Sequence, residues 1–390
     1  MDDVVVLSAV RTPIGRFMGG LSAVPAPRLG GVVIAEAIRR AGVAPDQVSE
    51  VIMGNVLTAG LGQAPARQAA LAAGLPNTVP ATTINKMCGS GLKAVMLGVQ
   101  AILAGDAEIV VAGGMENMSA APFLAERARS GYRLGDGTLV DVILRDGLID
   151  AYHQIHMGNC AEILARTYKI SRQEQDAFAR ESYRRTLEAM DSGAFAPEIV
   201  RVGTNHDAEP VTEDEDPRRV VFEKIDRLAP AFEEGGTVTA ANASSISDGA
   251  AAVVLASAGA ARRIGGTPLA RVVGQAGAAM APEWFTIAPA EATWRLLRRV
   301  GWTTHDVDLF EINEAFAAVV LGVTRELGVG LERVNVRGGA VAMGHPIGAS
   351  GARILTTLLH AMAARGARRG AAAVCLAGGE AVALAVERDA

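Results

Sequence analysis

Residues 39–48 (RRAGVAPDQV) match residues 298–307 (RRVGWTTHDV) at a constant offset of 259. Each copy closes a helical pattern with two arginines and a glycine, as a helix C-terminus requires, and runs into a strand-like segment. Two further correspondences extend the repeat at nearly the same offset. Ser90-Gly91 matches Ser350-Gly351, each opening an apolar helical pattern, and Val110-Val111-Ala112-Gly113-Gly114-Met115-Glu116 echoes Val374-Cys375-Leu376-Ala377-Gly378-Gly379-Glu380. A chain that repeats itself in this way is constrained to two similar halves packed together. Strand-like and helical runs alternate within each half, which predicts an α/β fold with a parallel-rich central sheet in each.

The first half reads in order as a buried strand at Val4–Leu7, a helix at about 28–41 ending at Gly42, and a strand at Val51-Ile52-Met53. A helix follows at about 64–73, then an apolar helix over 92–104 and a strand at Ala107–Ala112. From roughly Ser119 to Ser247 the chain becomes more polar, as an insertion lying over a site would. It contains the capping box Ser171-Arg172-Gln173-Glu174, opening a helix through about Ala189. The acidic run Glu213-Asp214-Glu215-Asp216 reads as a solvated loop.

With 390 residues, half of them hydrophobic, the chain has room for two or three domains around a large core. A formal charge of −5 and 4% aromatic residues argue against nucleic acid or an anionic membrane as the main partner. Cys88, Cys160 and Cys375 are too few and too far apart for a disulfide framework or a metal site, which points to a reducing compartment, the cytoplasm. The N-terminus shows no basic region followed by an apolar run, and the longest apolar runs are of core-strand length, so no membrane span is expected.

Asn85-Lys86-Met87-Cys88-Gly89-Ser90-Gly91-Leu92 sets a single thiol at the mouth of the 92–104 helix. The positive end of a helix lowers a thiol's pKa, and the glycines admit a substrate carbonyl close to the backbone. Cys88 is therefore a candidate nucleophile, although a lone cysteine is more often a small buried hydrophobe. The second half supplies companions that favour the chemical reading. His345 lies in the glycine-rich stretch Gly338–Gly351, where Pro346 restricts it to an extended backbone. Asn313, in Glu311-Ile312-Asn313-Glu314-Ala315-Phe316-Ala317, follows a strand and can orient a water or donate to an oxyanion. Cys375 is placed at the end of the final glycine-rich strand. His153, His206, His305 and His360 are read as surface or capping residues.

The segments NKMCGSGLKA, VVAGGMENMS, HMGNCAE, GTVTAANAS, NEAFA and GGAVAMGHPIGASGAR, in this order over essentially the whole chain, resemble the thiolase family of acetyl-CoA acetyltransferases and 3-ketoacyl-CoA thiolases. The resemblance implies duplicated βαβαβαββ halves in a five-layered α-β-α-β-α core. It implies halves at 1–118, completed by about 247–267, and at 268–390, with a loop domain at 119–246 covering the coenzyme A site. It implies that Cys88 takes an acyl group from acyl-CoA as a thioester, with His345 as its base. Cys375 would move the α-proton of the second acetyl-CoA, Asn313 would hold a water facing the enolate oxygen, and backbone N–H groups at Cys88 and Ala377 would hold the thioester oxyanion. His156, Met157, Arg218, Phe232, Ala240, Ser244, Ile246 and Phe316 would line the coenzyme A path. The expected reaction joins two acetyl-CoA into acetoacetyl-CoA and CoA, and the reverse, by ping-pong kinetics. No metal or cofactor is expected beyond coenzyme A as substrate and product, and the family implies a homodimer or homotetramer.

The chain departs from the family pattern at Ala377, Glu380 and Ala381, where glycine, Met or Gln, and glycine are usual, and in the bulkier stretch Met280–Pro289. Ala377 keeps its N–H but restricts φ, and Glu380 needs water or a cation. These departures bear on acyl-chain preference and leave as alternatives a longer-chain thiolase and a non-catalytic acyl-CoA-binding relative. A condensing ketoacyl synthase is disfavoured by Cys375. The Gly89-Ser90-Gly91-Leu92-Lys93-Ala94 match to a dinucleotide fingerprint is weak, because no clean strand precedes it.

Overall fold

The structure, a computed structural model, describes residues 3–203 and 209–389, and His206 lies outside them. The chain begins with β1 (Val4–Arg11), buried on both faces. Val5, Leu7 and Val10 enter one apolar cluster and Val4, Val6 and Ala9 another, the alternation being reset by a bulge between Val6 and Ser8. The first half continues with β2 (Gly15–Arg16), α1 (Ala26–Ala41), β3 (Glu50–Gly54), α2 (Pro65–Ala72), β4 (Ala81–Ile84), α3 (Ser90–Ala104) and β5 (Ile109–Asn117). A long segment carrying α4 (Met157–Thr167) and α5 (Arg172–Asp191) precedes β6 (Ser247–Ser257) and α6 (Ala258–Ile264). The second half comprises β7 (Ala270–Ala279), α7 (Ala288–Val300), β8 (Leu309–Ile312), α8 (Ala317–Leu327), the single turn α9 (Ala340–Met343), α10 (Ser350–Arg365), β9 (Arg369–Leu376) and β10 (Glu380–Glu387).

The strands run in the order β8-β9-β10-β7-β1-β6-β5-β3-β4, with β2 against β6, and the halves join where β1 pairs with β7 through Val5–Arg271 and Val6–Ala270. The expected parallel-rich sheets are corrected. Among the described residues only β3–β4, β3–β5 and β8–β9 are parallel pairs, because β10 doubles straight back from β9 and β6 enters antiparallel to both β1 and β5. Three apolar clusters define the layers. α1 and α2 cover the outer face of the first-half strands, α7, α8 and α4 that of the second-half strands, and α3 and α10 lie between. The result is the five-layered α-β-α-β-α arrangement.

The repeat is visible in detail. α1 ends at Gly42 and α7 at Gly301, both left-handed, and each leads through a 3₁₀ turn, Pro45–Gln47 or Thr304–Asp306, into a strand. Among the described residues the second half has no strand in the place of β4: Val334 makes an isolated bridge to Phe310. There the Asn335 side chain accepts from the Ile312 N–H and donates to the Ile312 carbonyl, both at 2.8 Å, serving β8 as a strand's backbone would. At the centre α3 and α10 meet at equivalent glycines. A Cβ on Gly91 would fall 2.7 Å from the Ala352 nitrogen and one on Gly351 would fall 2.4 Å from that of Leu92. This reciprocal contact brings the two helix starts, and the loops before them, to one place.

Two expectations fail here, that the longest apolar runs are of core-strand length and that the acidic run is a solvated loop. The stretch Met87–Ala104 has a mean hydropathy of 1.5 over 18 residues, long and apolar enough for a membrane span, yet its apolarity serves the central layer between two sets of strands. The acidic run is not a solvated loop. Asp214 is 1% exposed and accepts from the Arg11 guanidinium at 2.7 and 3.0 Å and from the Ile14 N–H at 2.8 Å, while Glu215 accepts from the N–H groups of Arg16 and Gly20. Buried Arg11 also donates to Glu198 at 2.6 Å, so the charges that looked solvated fasten the long segment to β1. His360 is half-buried, bound to the Ala9 carbonyl at 2.9 Å, whereas His153 and His305 are exposed.

Candidate active site

The turn from Asn85 to Ser90 is cinched by its own side chains. The Met87 N–H donates to Asn85 Oδ1 at 2.9 Å, the Lys86 N–H to Ser90 Oγ at 2.8 Å, and that hydroxyl to the Met87 carbonyl at 2.6 Å. Met87 stands at φ 48°, a left-handed conformation that costs a residue with a Cβ roughly 1–2 kcal/mol. Such strain held next to the candidate nucleophile fits a functional turn. Cys88 follows, just ahead of the α3 cap Gly89, where a Cβ would collide with Leu376 at 2.4 Å. The backbone N–H groups of Cys88 itself and of Ala377 face the Cys88 sulfur and favour its ionised form. The expected lowering of its pKa is overturned: burial pushes the thiol up to about 12, and the Glu116 carboxylate adds to that push, outweighing both donors. At neutral pH the Cys88 thiol is therefore protonated, and ionising it takes a base.

Cys375 lies on β9, and its buried thiol is pushed above the usual range by burial and by neighbouring Cys88. It is followed by the hairpin Ala377-Gly378-Gly379 and by β10, so β9 is not the last strand. The positive φ values there belong to Gly378 and Gly379, at 89° and 81°, so Ala377 carries its Cβ without the expected penalty. The Met280 N–H donates to the Gly379 carbonyl at 2.9 Å, so the bulkier stretch buttresses this hairpin, while Phe285 is buried in the second-half core. The cation that Glu380 needs is Lys86, with which it forms an ion pair.

His345 is 7% exposed. Its Nδ1 lies 2.6 Å from Ser350 Oγ and its Nε2 3.4 Å from Asn313 Nδ2. Burial, with Arg353 adding to it, pushes the imidazole pKa down to about 3, so the ring is neutral and free to accept a proton. The Ser350 hydroxyl is also 2.9 Å from the Pro346 carbonyl. When its one proton goes to that carbonyl, Nδ1–H donates to Ser350 and Nε2 is left as a base. When it goes to Nδ1, Nε2–H becomes a donor. Asn313 directly follows β8, donates its N–H to the Ala373 carbonyl at 3.0 Å, and has a buried Oδ1 with no protein partner among the described residues. That free acceptor fits a bound water.

Sequence reasoning missed the polar groups beneath these four side chains. Glu116 is fully buried and accepts from Asn55 Nδ2 at 2.6 Å and from the N–H groups of Val56, Leu57 and Gly348 at 3.0, 3.2 and 3.0 Å. It latches a first-half loop to the His345 loop, and burial pushes its carboxyl up to about 7. The repeat carried a signal, since Glu116 corresponds to Glu380. Flanking Asn313, buried Glu314 accepts from Ser182 at 2.7 Å, Asn335 at 2.9 Å and the Val341 N–H at 3.0 Å. Glu311 and Arg353, each 1% exposed, complete this buried layer.

The expected coenzyme A residues fall in two groups. His156 caps α4, accepting from the Gly158 N–H at 3.0 Å, and stacks on Phe232 at 4.8 Å, which meets Phe316 edge-on at 6.0 Å. Met157 and Phe316 are buried, Ser244 donates to the Ala315 carbonyl at 3.0 Å, and Ile246 packs in one cluster with Cys88 and Met87. Ala240 and Arg218 are exposed instead, and Arg218 is held by Asp191 at 3.0 Å and Glu213 at 3.3 Å.

Comparison with known proteins bears directly on this arrangement. The thiolase N-terminal domain matches residues 4–259 and the thiolase C-terminal domain residues 266–388. The chain is 55% identical over 392 residues to an acetyl-CoA acetyltransferase of Cupriavidus necator and 53% identical to one of Escherichia coli, covering all of both chains. It is 50% identical to a mitochondrial acetyl-CoA acetyltransferase of Xenopus tropicalis, covering 92% of it. Among solved structures, a thiolase of Ascaris suum in complex with coenzyme A superimposes with a TM-score of 0.95 at 46% identity, over 99% of this chain and 100% of that one. An acetyl-CoA acetyltransferase of Bacillus anthracis does so with a TM-score of 0.97 at 43% identity, over 99% of both. With both domains matched and full-length relatives at half identity or more, the chain belongs to the thiolase family.

Proposed function

We propose that this chain is an acyltransferase that joins two acetyl-CoA into acetoacetyl-CoA and CoA, and runs the reverse thiolysis. The observation that carries this reading is the meeting, at the crossing of α3 and α10, of two thiols, a neutral imidazole and a free amide oxygen, with two N–H groups aimed at Cys88. In the first half-reaction the Cys88 sulfur attacks the thioester carbonyl. A thiol near 12 and an imidazole near 3 make a preformed ion pair strongly uphill, so the proton leaves for His345 as the carbon–sulfur bond forms. The N–H groups of Cys88 and Ala377 receive the developing oxyanion, and coenzyme A departs with the proton from His345. In the second, Cys375, as its thiolate with its own proton given up to solvent, removes the α-proton of acetyl-CoA, and the enolate oxygen faces His345 Nε2–H and a water held by Asn313. The enolate carbon attacks the acetyl-Cys88 carbonyl, the carbon–sulfur bond to Cys88 breaks to release acetoacetyl-CoA, and the departing Cys88 thiolate takes back the proton held by Cys375.

His156, Phe232 and Phe316 form an aromatic wall, and with Met157, Ser244 and Ile246 they are the proposed path for the pantetheine arm. Ala240 and Arg218 are placed at its outer end, where the nucleotide would have to draw Arg218 from Asp191 and Glu213. The division into halves at 1–118 with 247–267, at 268–390, and a loop domain at 119–246 belongs to the same reading, as do a cytoplasmic compartment and a homotetramer. Exposed Phe123, Tyr132, Leu134 and Leu139 within 121–147 support self-association, which light scattering on an eluting peak tests. The experiment for the function itself is thiolysis over a series of 3-oxoacyl-CoA chain lengths. Highest kcat/KM on acetoacetyl-CoA supports the reading, preference for longer chains makes it a longer-chain thiolase, and no cleavage overturns it.

A further inference from the structure

The two N–H groups that face the Cys88 sulfur belong to different halves of the molecule, one to the turn before α3 and the other to the β9–β10 hairpin. An oxyanion is held only while both donors lie within hydrogen-bond reach of one point. Apolar contact of Gly89 with Leu376 and Val382 seats the turn on the hairpin but leaves sliding cheap, since such contacts have no preferred direction. The Lys86–Glu380 ion pair is directional. Lys86 stands two residues before Cys88, and Glu380 opens β10 opposite Leu376, across the hairpin from Ala377. Among the described residues it is the one side-chain polar link between 85–89 and 376–381.

We propose that Lys86 and Glu380 form a clasp that sets the spacing of the two oxyanion donors, acting as positioning residues for the acyl-transfer step. The inference rests on the acyltransferase reading above. Lys93 and Arg295 line the same cleft, and Arg295 is already held by Glu291 at 2.6 Å. The cleft therefore carries more positive than negative charge, and Glu380 is its balancing group. Both members of the clasp are about one-third exposed, so the effect is modest and screened by salt.

The test measures kcat for thiolysis at saturating acetoacetyl-CoA and CoA in wild type, Lys86→Gln, Glu380→Gln, both together, and the exchanged pair Lys86→Glu with Glu380→Lys, each with a thermal melt. The single variants should lose about three- to tenfold in kcat, Glu380→Gln more than Lys86→Gln, with KM for CoA within about twofold. The exchanged pair should regain most of the loss, and wild-type kcat should fall toward the Lys86→Gln value as salt rises. Single variants with wild-type kcat, or an exchanged pair no better than they are, overturn the clasp while leaving the function standing. A loss of kcat that merely follows a loss of Tm overturns it too. Wild type without turnover overturns the acyltransferase reading and the clasp with it.

Discussion

Ser350 Oγ lies 2.6 Å from Nδ1 of His345 and 2.9 Å from the Pro346 carbonyl, so one serine proton decides which nitrogen of the imidazole is basic. The proposed chemistry needs both states, a base at Nε2 for the Cys88 proton and a donor at Nε2 for the enolate. Ser350→Ala removes the selector and leaves Nδ1 buried without a partner. A lost buried hydrogen bond of about 1–3 kcal/mol predicts a roughly tenfold fall in kcat, with KM for acetoacetyl-CoA little changed. Steady-state kinetics checks this, and an unchanged kcat would show the serine to be incidental.

Glu116 gives a pH prediction with two opposite signs. Its folded carboxyl titrates near 7, above the ordinary value, so the stability it contributes is full below the unfolded pKa and is lost as pH rises through about 7. Its four donors, however, are all met only by the ionised carboxylate. Going from about pH 8 to about pH 6 should therefore raise the contribution to Tm while lowering kcat, and Glu116→Gln should flatten both trends at a lower kcat. Melts and kcat across that range decide it.

Arg11 is fully buried between Glu198 and Asp214. Asp214→Asn leaves part of that cation uncompensated and should destabilise the fold by about 3–5 kcal/mol, read as a lower urea midpoint. A change under about 1 kcal/mol would return the acidic run to the solvated loop its composition suggested.

At Gly158 a Cβ would fall 2.3 Å from the Phe232 ring, which stacks on His156. Gly158→Ala must displace that ring, which belongs to the proposed wall of the pantetheine path. KM for acetyl-CoA should rise about five- to tenfold with kcat within about threefold, as an overpacking cost of roughly 1–2 kcal/mol implies. An unchanged KM would remove the aromatic wall from the path.

The parts of this account legible in the sequence are those with a local cause. Glycine-stopped helices at Gly42 and Gly301, and Ser-Gly pairs opening α3 and α10, declared the two halves, because capping and close helix approach need those residues there. Properties of the assembled interior were hidden. The thiol of Cys88 follows its burial and Glu116, not the helix end beneath it, and neither is a local feature of NKMCGSG. Asp214 looked like one of four like charges, since its cation lies some two hundred residues away. The antiparallel pairing of β6 and β10, against the expected parallel-rich sheets, was not legible because strand composition does not encode which neighbour a strand will pair with.

The central claim is that Cys88 carries the acyl group and Cys375 moves the proton. The most direct test incubates wild type, Cys88→Ala and Cys375→Ala with acetyl-CoA alone and locates any acetyl adduct by peptide mass spectrometry. The account predicts one acetyl group on Cys88 in wild type, the same adduct in Cys375→Ala although condensation is lost, and none in Cys88→Ala. An adduct on Cys375 instead, or turnover that survives in Cys88→Ala, would contradict it.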